Sequence, residues 1–407
     1  MDASAPRIDY AGTTPPIGYR RFHADVGLNF ECNRWVESIG PTAIGEVAQL
    51  AARANTYPEW IAGYLELAEQ ARAADRPFAA AYYDRAAGFF MTADDPRRPA
   101  ARDRFLQTMR AIYDVAPEYI PFGSGALPAY DLRPLHQIGS PIVMFGGFDS
   151  YIEEFLPMMA AMVDAGRHVV AFEGPGQGGA LEDYRLPLIA EWERPAAAVL
   201  DHYDLQDVTA VGISMGGALV IRAAAFEPRI TRAVAYDVLD DVFDAAVRQL
   251  GRRPALLVRG LLAMRARRIT NAAAARAISR RPVAQWGLQQ GMHITGTTTP
   301  YDFLQSSTKI STQRISQRCT ADVLLLAGAE DHFTPLTALW RQAATLTRAR
   351  SLTTRTFTAD EQASNHCQVG NNGAAARVIL DWLNQTDTRH REPIGAVVAA
   401  TKAPARK

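Results

Sequence analysis

The chain has 407 residues, with 43 Lys+Arg against 43 Asp+Glu, and 48% of its residues are hydrophobic. That composition can fill one large or two ordinary cores, so wholesale disorder is excluded. A net charge of zero argues against a nucleic-acid binder, no apolar run is long enough to span a membrane, and three dispersed cysteines make no disulfide framework.

Residues 1–28 read as an irregular lead-in. The first ten residues, MDASAPRIDY, show no basic stretch leading into an apolar one, so the expectation is a cytoplasmic protein. Residues 29–125 are predicted to form a helical domain. Apolar side chains recur there at spacings of three and four, as in Trp60, Ile61, Tyr64, Leu65 and Leu67, and Pro41, Pro58, Pro77 and Pro96 divide the stretch.

From residue 141 the texture changes. Residues 141–145 (PIVMF), 168–172 (HVVAF), 208–211 (VTAV), 233–236 (AVAY) and 323–327 (VLLLA) are short, apolar and bounded by Gly, Asp or Glu. Such runs suit parallel strands covered on both faces, and the helical patterns between them make βαβ units. The predicted class is α/β: a mostly parallel sheet with helices on both faces, its core spread over residues 126–240 and 319–387. Residues 241–318 are far longer than an αβ connection. They read as a cap over the carboxyl end of the sheet, helical over 242–278 and irregular over 286–300. Residues 352–357 form a further strand and residues 374–383 the last helix. Residues 388–407 read as a disordered tail.

The chemistry centres on Gly212-Ile213-Ser214-Met215-Gly216. This G-x-S-x-G lies directly between a predicted strand and the helical run 218–226, the setting of a nucleophile elbow. A sharp turn strains the serine backbone, and side chains at the flanking positions would strike the neighbouring strand and helix. The bland alternative is a Gly-rich turn with an incidental serine. An activated serine needs a base and an orienting acid, following in the order acid then histidine. Asp331, in the loop after the strand 323–327, fits the acid, with Glu330 and Asp237 as rivals. His366, before the final helix, fits the base; His332 would replace it only in an unusual chain order, and His293 and His390 lie in the cap and tail. As structural alternatives, Asp331 is a helix cap and His366 a loop histidine. No second Cys or His stands at ligand spacing from Cys367, so no metal is expected.

A tetrahedral intermediate needs two N–H donors. The Met215 amide is one candidate. The Phe148 amide, in the Gly146-Gly147-Phe148-Asp149 loop after the strand 141–145, is the other, with Gly147 and Asp149 as candidate substrate contacts. Glu173-Gly174-Pro175-Gly176-Gln177-Gly178 lacks dinucleotide and phosphate-loop spacing and reads as a turn near the site.

Together with Glu330-Asp331-His332-Phe333-Thr334-Pro335 and Asn365-His366-Cys367-Gln368-Val369-Gly370-Asn371, these motifs resemble the α/β-hydrolase superfamily. The nearest resemblance is to the group holding 2,6-dihydroxypseudooxynicotine hydrolase, fungal pigment polyketide-shortening hydrolases and the fermentation–respiration switch protein. Those proteins carry a helical N-terminal segment, which residues 30–35 (FECNRW) and 83–87 (YDRAA) resemble. The resemblance implies an α/β-hydrolase fold, a Ser214–His366–Asp331 triad, and hydrolysis of a carbon–carbon bond next to a carbonyl, or of an ester. Part of that group also uses an acid some thirty positions after the nucleophile; here that region holds Asp237, Asp240, Asp241 and Asp244, and the resemblance assigns none of them.

Residues 245–301 hold ten arginines and no Asp or Glu. The plain reading is a solvated face or a surface docked on the N-terminal segment; the sharper one is attraction of an anionic or polyphenolic substrate. Trp286, Met292 and Tyr301 are candidates to line an apolar pocket beneath the cap. The expected activity is a cofactor-free serine hydrolase acting on a β-diketone or polyketide-like small molecule. A carboxylesterase, an acyltransferase or cyclase, and a non-catalytic binder on the same fold are the alternatives. No nucleic-acid or membrane partner is expected, and the N-terminal helices suit a homodimer.

Overall fold

The computed structural model describes residues 15–248, 251–278 and 282–391. Five helices open it: α1 (Val26–Ile39), α2 (Ala43–Ala51), α3 (Tyr57–Ala73), α4 (Pro77–Phe90) and α5 (Arg98–Tyr113). Their starts are written in the chain. Asp25 caps α1 by accepting from the Leu28 amide, Thr56 and Glu59 form a capping box on α3, and prolines occupy the first turns of α3, α4 and α5.

The sheet follows as β1 (Glu118–Phe122), β2 (Gly125–Leu132), β3 (Ile142–Phe145), β4 (Val169–Phe172), β5 (Val208–Ile213), β6 (Ile230–Tyr236), β7 (Asp322–Gly328) and β8 (Ser351–Phe357). Among the described residues its order is β1-β2-β4-β3-β5-β6-β7-β8. The β1–β2 and β2–β4 pairs at one end of the sheet are antiparallel, and the remaining neighbours are parallel. The expected α/β class stands, and six of these strands answer to the predicted runs. The edge hairpin of β1 and β2 was missed. Pro121 and Pro128 interrupt its strand pattern; Pro121 lies on the edge strand β1, which tolerates a missing N–H, whereas Pro128 lies on β2 between β1 and β4, its carbonyl accepting from the Glu173 amide.

Helices α6 (Leu156–Asp164), α7 (Gly178–Glu182), α8 (Glu193–His202) and α9 (Gly216–Phe226) fill the crossovers. Helices α10 (Val242–Arg248), α11 (Arg252–Ala263), α12 (Arg267–Ile278), α13 (Pro282–Thr295) and α14 (Pro300–Ser307) make the insertion, and α15 (Leu336–Thr345) and α16 (Asn372–Arg391) end the chain.

Alternation along the strands explains the apolar runs. Met144, Val211, Val234 and Leu324 face one core, shared with α6, α16 and the N-terminal helices, while Val143, Ala210, Ala233 and Val323 face a second core under α8, α9 and α15. The N-terminal helices and one sheet face therefore share a single core.

Two expectations need correction. Residues 286–295, read as irregular, belong to α13. Gly287 and Gly291 weaken the helical signal there, but Gly291 is needed because a Cβ would lie 2.3 Å from the Phe303 ring. The last helix runs to Arg391, past its expected end. The remainder of the tail, residues 392–407, lies outside the described residues. So do most of the lead-in and the cap arginines Arg280 and Arg281.

Candidate active site

The three glycines around Ser214 are dictated by contact. A Cβ on Gly212 would stand 2.0 Å from the Gly216 carbonyl oxygen, one on Gly216 2.7 Å from the Gly146 oxygen, and one on Gly217 1.9 Å from the Asp237 oxygen. The turn between β5 and α9 is that tight. Ser214 itself has φ +59°, and its N–H donates to the Tyr236 carbonyl over 2.6 Å. A left-handed serine is costly, and here the packed strand and helix on either side hold it. We expect Gly217→Ala to destabilise the fold by about 3 kcal/mol or more, since backbone must move to admit the methyl. Gly45→Ala, on an exposed turn of α2 with open space around it, should instead stabilise by about 0.5–1 kcal/mol. Urea midpoints of the two variants check the opposite signs.

The structure brings Ser214, His366 and Asp331 together. Ser214 Oγ lies 2.8 Å from His366 Nε2, and His366 Nδ1 lies 2.6 Å from Asp331 Oδ2. Asp331 also accepts from the amides of Phe333 and Thr334 and from the Thr334 hydroxyl. Burial opposes its charge, but the His366 ring and these donors hold its carboxyl down at about 2. His366 is buried, which disfavours its cation, yet the adjacent Asp331 carboxylate lifts its pKa well above the ordinary histidine value. Phe333 packs edge-on against the imidazole, with centroids 5.1 Å apart, and Phe30 of α1 closes over it at 6.3 Å.

The rival acids separate cleanly. Glu330 accepts from the Ser364 hydroxyl. Asp240 pairs with Arg341, and Asp244 with Arg259 and Arg341. Asp237 remains at the site, its Oδ2 3.8 Å from His366 Nδ1. It accepts from the Cys367 amide and from Gln368 Nε2. Burial, and secondly the Asp331 charge, push its carboxyl up to about 7. Asp237, His366 and Cys367 hold potential metal donors within 4.8 Å of one another. Both imidazole nitrogens and the Asp237 carboxylate are already engaged in the hydrogen bonds just given. His332 lies beside Phe30 and Phe333, His293 pairs with Glu182, and His390 falls in α16.

The loop after β3 sits against the nucleophile. A Cβ on Gly147 would lie 2.9 Å from Ser214 Cβ and 3.1 Å from the Met215 nitrogen. Gly147 N–H donates to Ser150 Oγ. Among the described residues no hydrogen bond takes up the Phe148 or Met215 N–H. These are the two amides named from the sequence. Gln177 and Gln290 were not singled out there, yet Gln177 Nε2 donates to the Gly146 carbonyl and Gln290 Nε2 to that of Phe148. A glutamine beside a Gly-rich loop carries no local signal, which explains the omission.

Of the candidate pocket residues, Trp286 donates to the Phe89 carbonyl and packs at a tilt on the Phe89 ring, centroids 4.4 Å apart, with the Phe148 ring 6.1 Å away. It bridges cap, N-terminal helices and loop. Met292 packs with Phe148 in the small cap core around Phe243 and Phe303. Tyr301 is buried inside the cap with Arg267 over its ring. A cavity of about 20 Å³ adjoins Gly147, Phe148 and Gln290, far smaller than the several hundred Å³ of an ordinary ligand pocket. No described helix is long and apolar enough to cross a membrane.

Residues 138–359, over half of the chain, match the family described as serine aminopeptidase, S33. A protein named Hydrolase LUC6 from Fusarium sp is 32% identical over 67% of this chain and 72% of its own length. A protein named Hydrolyase poxO from Penicillium oxalicum is 29% identical over 72% of this chain and 79% of its own. Among solved structures, the 2,6-dihydroxy-pseudo-oxynicotine hydrolase shares the fold with a TM-score of 0.57 at 18% identity, covering 82% of this chain and 91% of that one. AbyA5 does so at 0.62 and 18%, covering 89% and 95%. This chain belongs to the α/β-hydrolase family and is a hydrolase.

Proposed function

We propose that Ser214, His366 and Asp331 form a catalytic triad that hydrolyses a carbon–carbon bond next to a carbonyl, through an acyl-serine intermediate. The observation carrying the reading is the unbroken chain from Ser214 Oγ through both nitrogens of His366 to Asp331, with the serine held at positive φ.

His366 takes the Ser214 proton as the oxygen attacks the carbonyl. The oxyanion is met by the Met215 and Phe148 amides. His366 then returns the proton to the leaving group, Asp331 keeping the imidazole in the productive tautomer. For a β-diketone the leaving group is an enolate, which becomes a methyl or methylene ketone on protonation. Water, deprotonated by His366, releases the acyl group as a carboxylic acid. No step calls for a cofactor.

The resemblance to the group that holds 2,6-dihydroxypseudooxynicotine hydrolase favours carbon–carbon cleavage over ester cleavage. The experiment is a comparison of kcat/KM for aryl-substituted β-diketones and for p-nitrophenyl esters of matched acyl groups, with products identified by mass. Clean conversion of the diketone to acid plus ketone supports the reading. Turnover of the esters alone replaces it with a carboxylesterase.

The pH dependence has a definite sign. A protonated His366 cannot accept the Ser214 proton. Because its pKa is raised, kcat/KM should climb with pH and reach half-maximum above the ordinary histidine value of ~6.5. A midpoint at or below that value would contradict the role given to Asp331.

A further inference from the structure

Two motifs of the N-terminal helices, FECNRW and YDRAA, have no place in the triad chemistry. Both deliver an arginine to the same loop. Arg34 of α1 places Nη1 2.8 Å from Asp149 Oδ2 and Nη2 2.7 Å from Glu154 Oε2. Arg85 of α4 donates Nε to Glu154 Oε1 over 2.7 Å and Nη2 to the Asp149 backbone carbonyl over 2.7 Å. The two guanidinium groups share the Trp35 ring, at 4.5 and 5.3 Å from its centroid. Tyr82 of α4 donates to the Glu154 carbonyl, and Glu154 Oε1 accepts the Tyr151 amide. Arg34 and Arg85 oppose the burial of Asp149 and hold its carboxyl below the ordinary range.

The clamp acts one residue from the Phe148 amide. That amide must point at a developing oxyanion, and its direction is fixed by the peptide groups on both sides. Gly146 is tied by Gln177, Gly147 by Ser150, and the Phe148 carbonyl by Gln290. The Asp149 carbonyl and side chain are tied by the two arginines. Oxyanion donors work because they are oriented before the reaction begins, and loss of one costs about 10²–10³ in rate.

We infer that Arg34 and Arg85 are positioning residues for catalysis: they lock the 147–154 loop so that the Phe148 amide faces the oxyanion, making the N-terminal helices part of the catalytic apparatus. This rests on the serine-hydrolase reading of the site. It goes beyond that reading in assigning a rate-setting task to two arginines of the N-terminal helices whose hydrogen bonds go to Asp149 and Glu154 and not to the triad.

The test uses the full chain and Arg34→Gln and Arg85→Gln. Arg104→Gln is the control, since Arg104 pairs with the buried Asp84 in the same helical segment and its hydrogen bonds go to Asp84 rather than to the loop. Three quantities are measured: the rate constant for phosphonylation of Ser214 by a fluorophosphonate, kcat and KM for p-nitrophenyl butyrate per phosphonylatable site, and Tm. The expected result is a fall of about 100-fold in phosphonylation rate and kcat for both loop-facing variants, with KM little changed. Arg104→Gln should lower Tm alone. If Arg34→Gln and Arg85→Gln behave like Arg104→Gln, losing Tm but keeping the wild-type rate per site, the proposal is overturned. Should they fail to fold, Arg34→Lys keeps the charge but loses the two-pronged contact. A fall of about 10-fold in kcat is then expected, and an unchanged kcat overturns the proposal. A wild-type protein that does not label at all defeats the serine-hydrolase reading itself, and this inference with it.

Discussion

Ser214→Ala should lower kcat by about 10⁶-fold while leaving the fold intact. The nucleophile and its base act as a unit, so losing the hydroxyl removes the whole acyl-transfer route. What survives is the stabilisation that oriented amides give to attack by water. Little stability is at stake, because the turn is fixed by Gly212, Gly216 and Gly217 and by the Ser214 amide, all of which the variant keeps. The lost hydroxyl contact to His366 is worth about 1 kcal/mol. Steady-state kinetics on a p-nitrophenyl ester, with near-UV circular dichroism as a check of folding, decide the matter. A folded variant retaining a tenth of wild-type activity would remove Ser214 from the mechanism.

Asp331→Asn is expected to cost about 10⁴-fold in kcat at neutral pH. The carboxylate accepts four hydrogen bonds, from His366 Nδ1, two amides and a hydroxyl. An amide turned to keep the backbone donors must present its NH₂ to His366 Nδ1. The imidazole then takes the other tautomer, with hydrogen on Nε2, and can no longer accept the Ser214 proton. The variant should also lose the carboxylate that lifts the His366 pKa, so the residual activity should rise at a lower pH than in the wild type. Asp237→Asn provides the comparison. Asp237 sits 3.8 Å from Nδ1 against 2.6 Å for Asp331, so its loss should cost less than that of Asp331. The reverse ranking would make Asp237 the working acid. Log kcat/KM against pH for the two variants distinguishes them.

Much of this was legible in the residues themselves. The strands of the parallel sheet are short apolar runs because both faces are covered, and the elbow glycines mark themselves by spacing. Ser214, Asp331 and His366, which the structure brings together, could be picked out because the fold restricts the chain order of such a set, leaving few histidines to choose among. What escaped the sequence was long-range. Asp237 could be named as a rival acid, but it could not be separated from Asp240, Asp241 and Asp244 as the extra acid until the packing of α15 gave Arg341 to Asp240 and Asp244, leaving Asp237 beside His366. Gln177 and Gln290 became legible only once β4 and α13 were placed around the Gly146–Phe148 turn. The helix in residues 286–295 was hidden by glycines, one of which is required by Phe303. The β1–β2 hairpin was hidden by Pro121 and Pro128, which break the apolar strand pattern.

The central claim is that the serine at the β5–α9 turn is an activated nucleophile. Intact-protein mass spectrometry after incubation with a fluorophosphonate, followed by peptide mapping, addresses it directly. The account predicts one adduct per wild-type chain, located on Ser214, absent in Ser214→Ala and much slower to form in His366→Ala. A folded wild-type protein that gains no adduct, or gains it on another residue, would contradict the account.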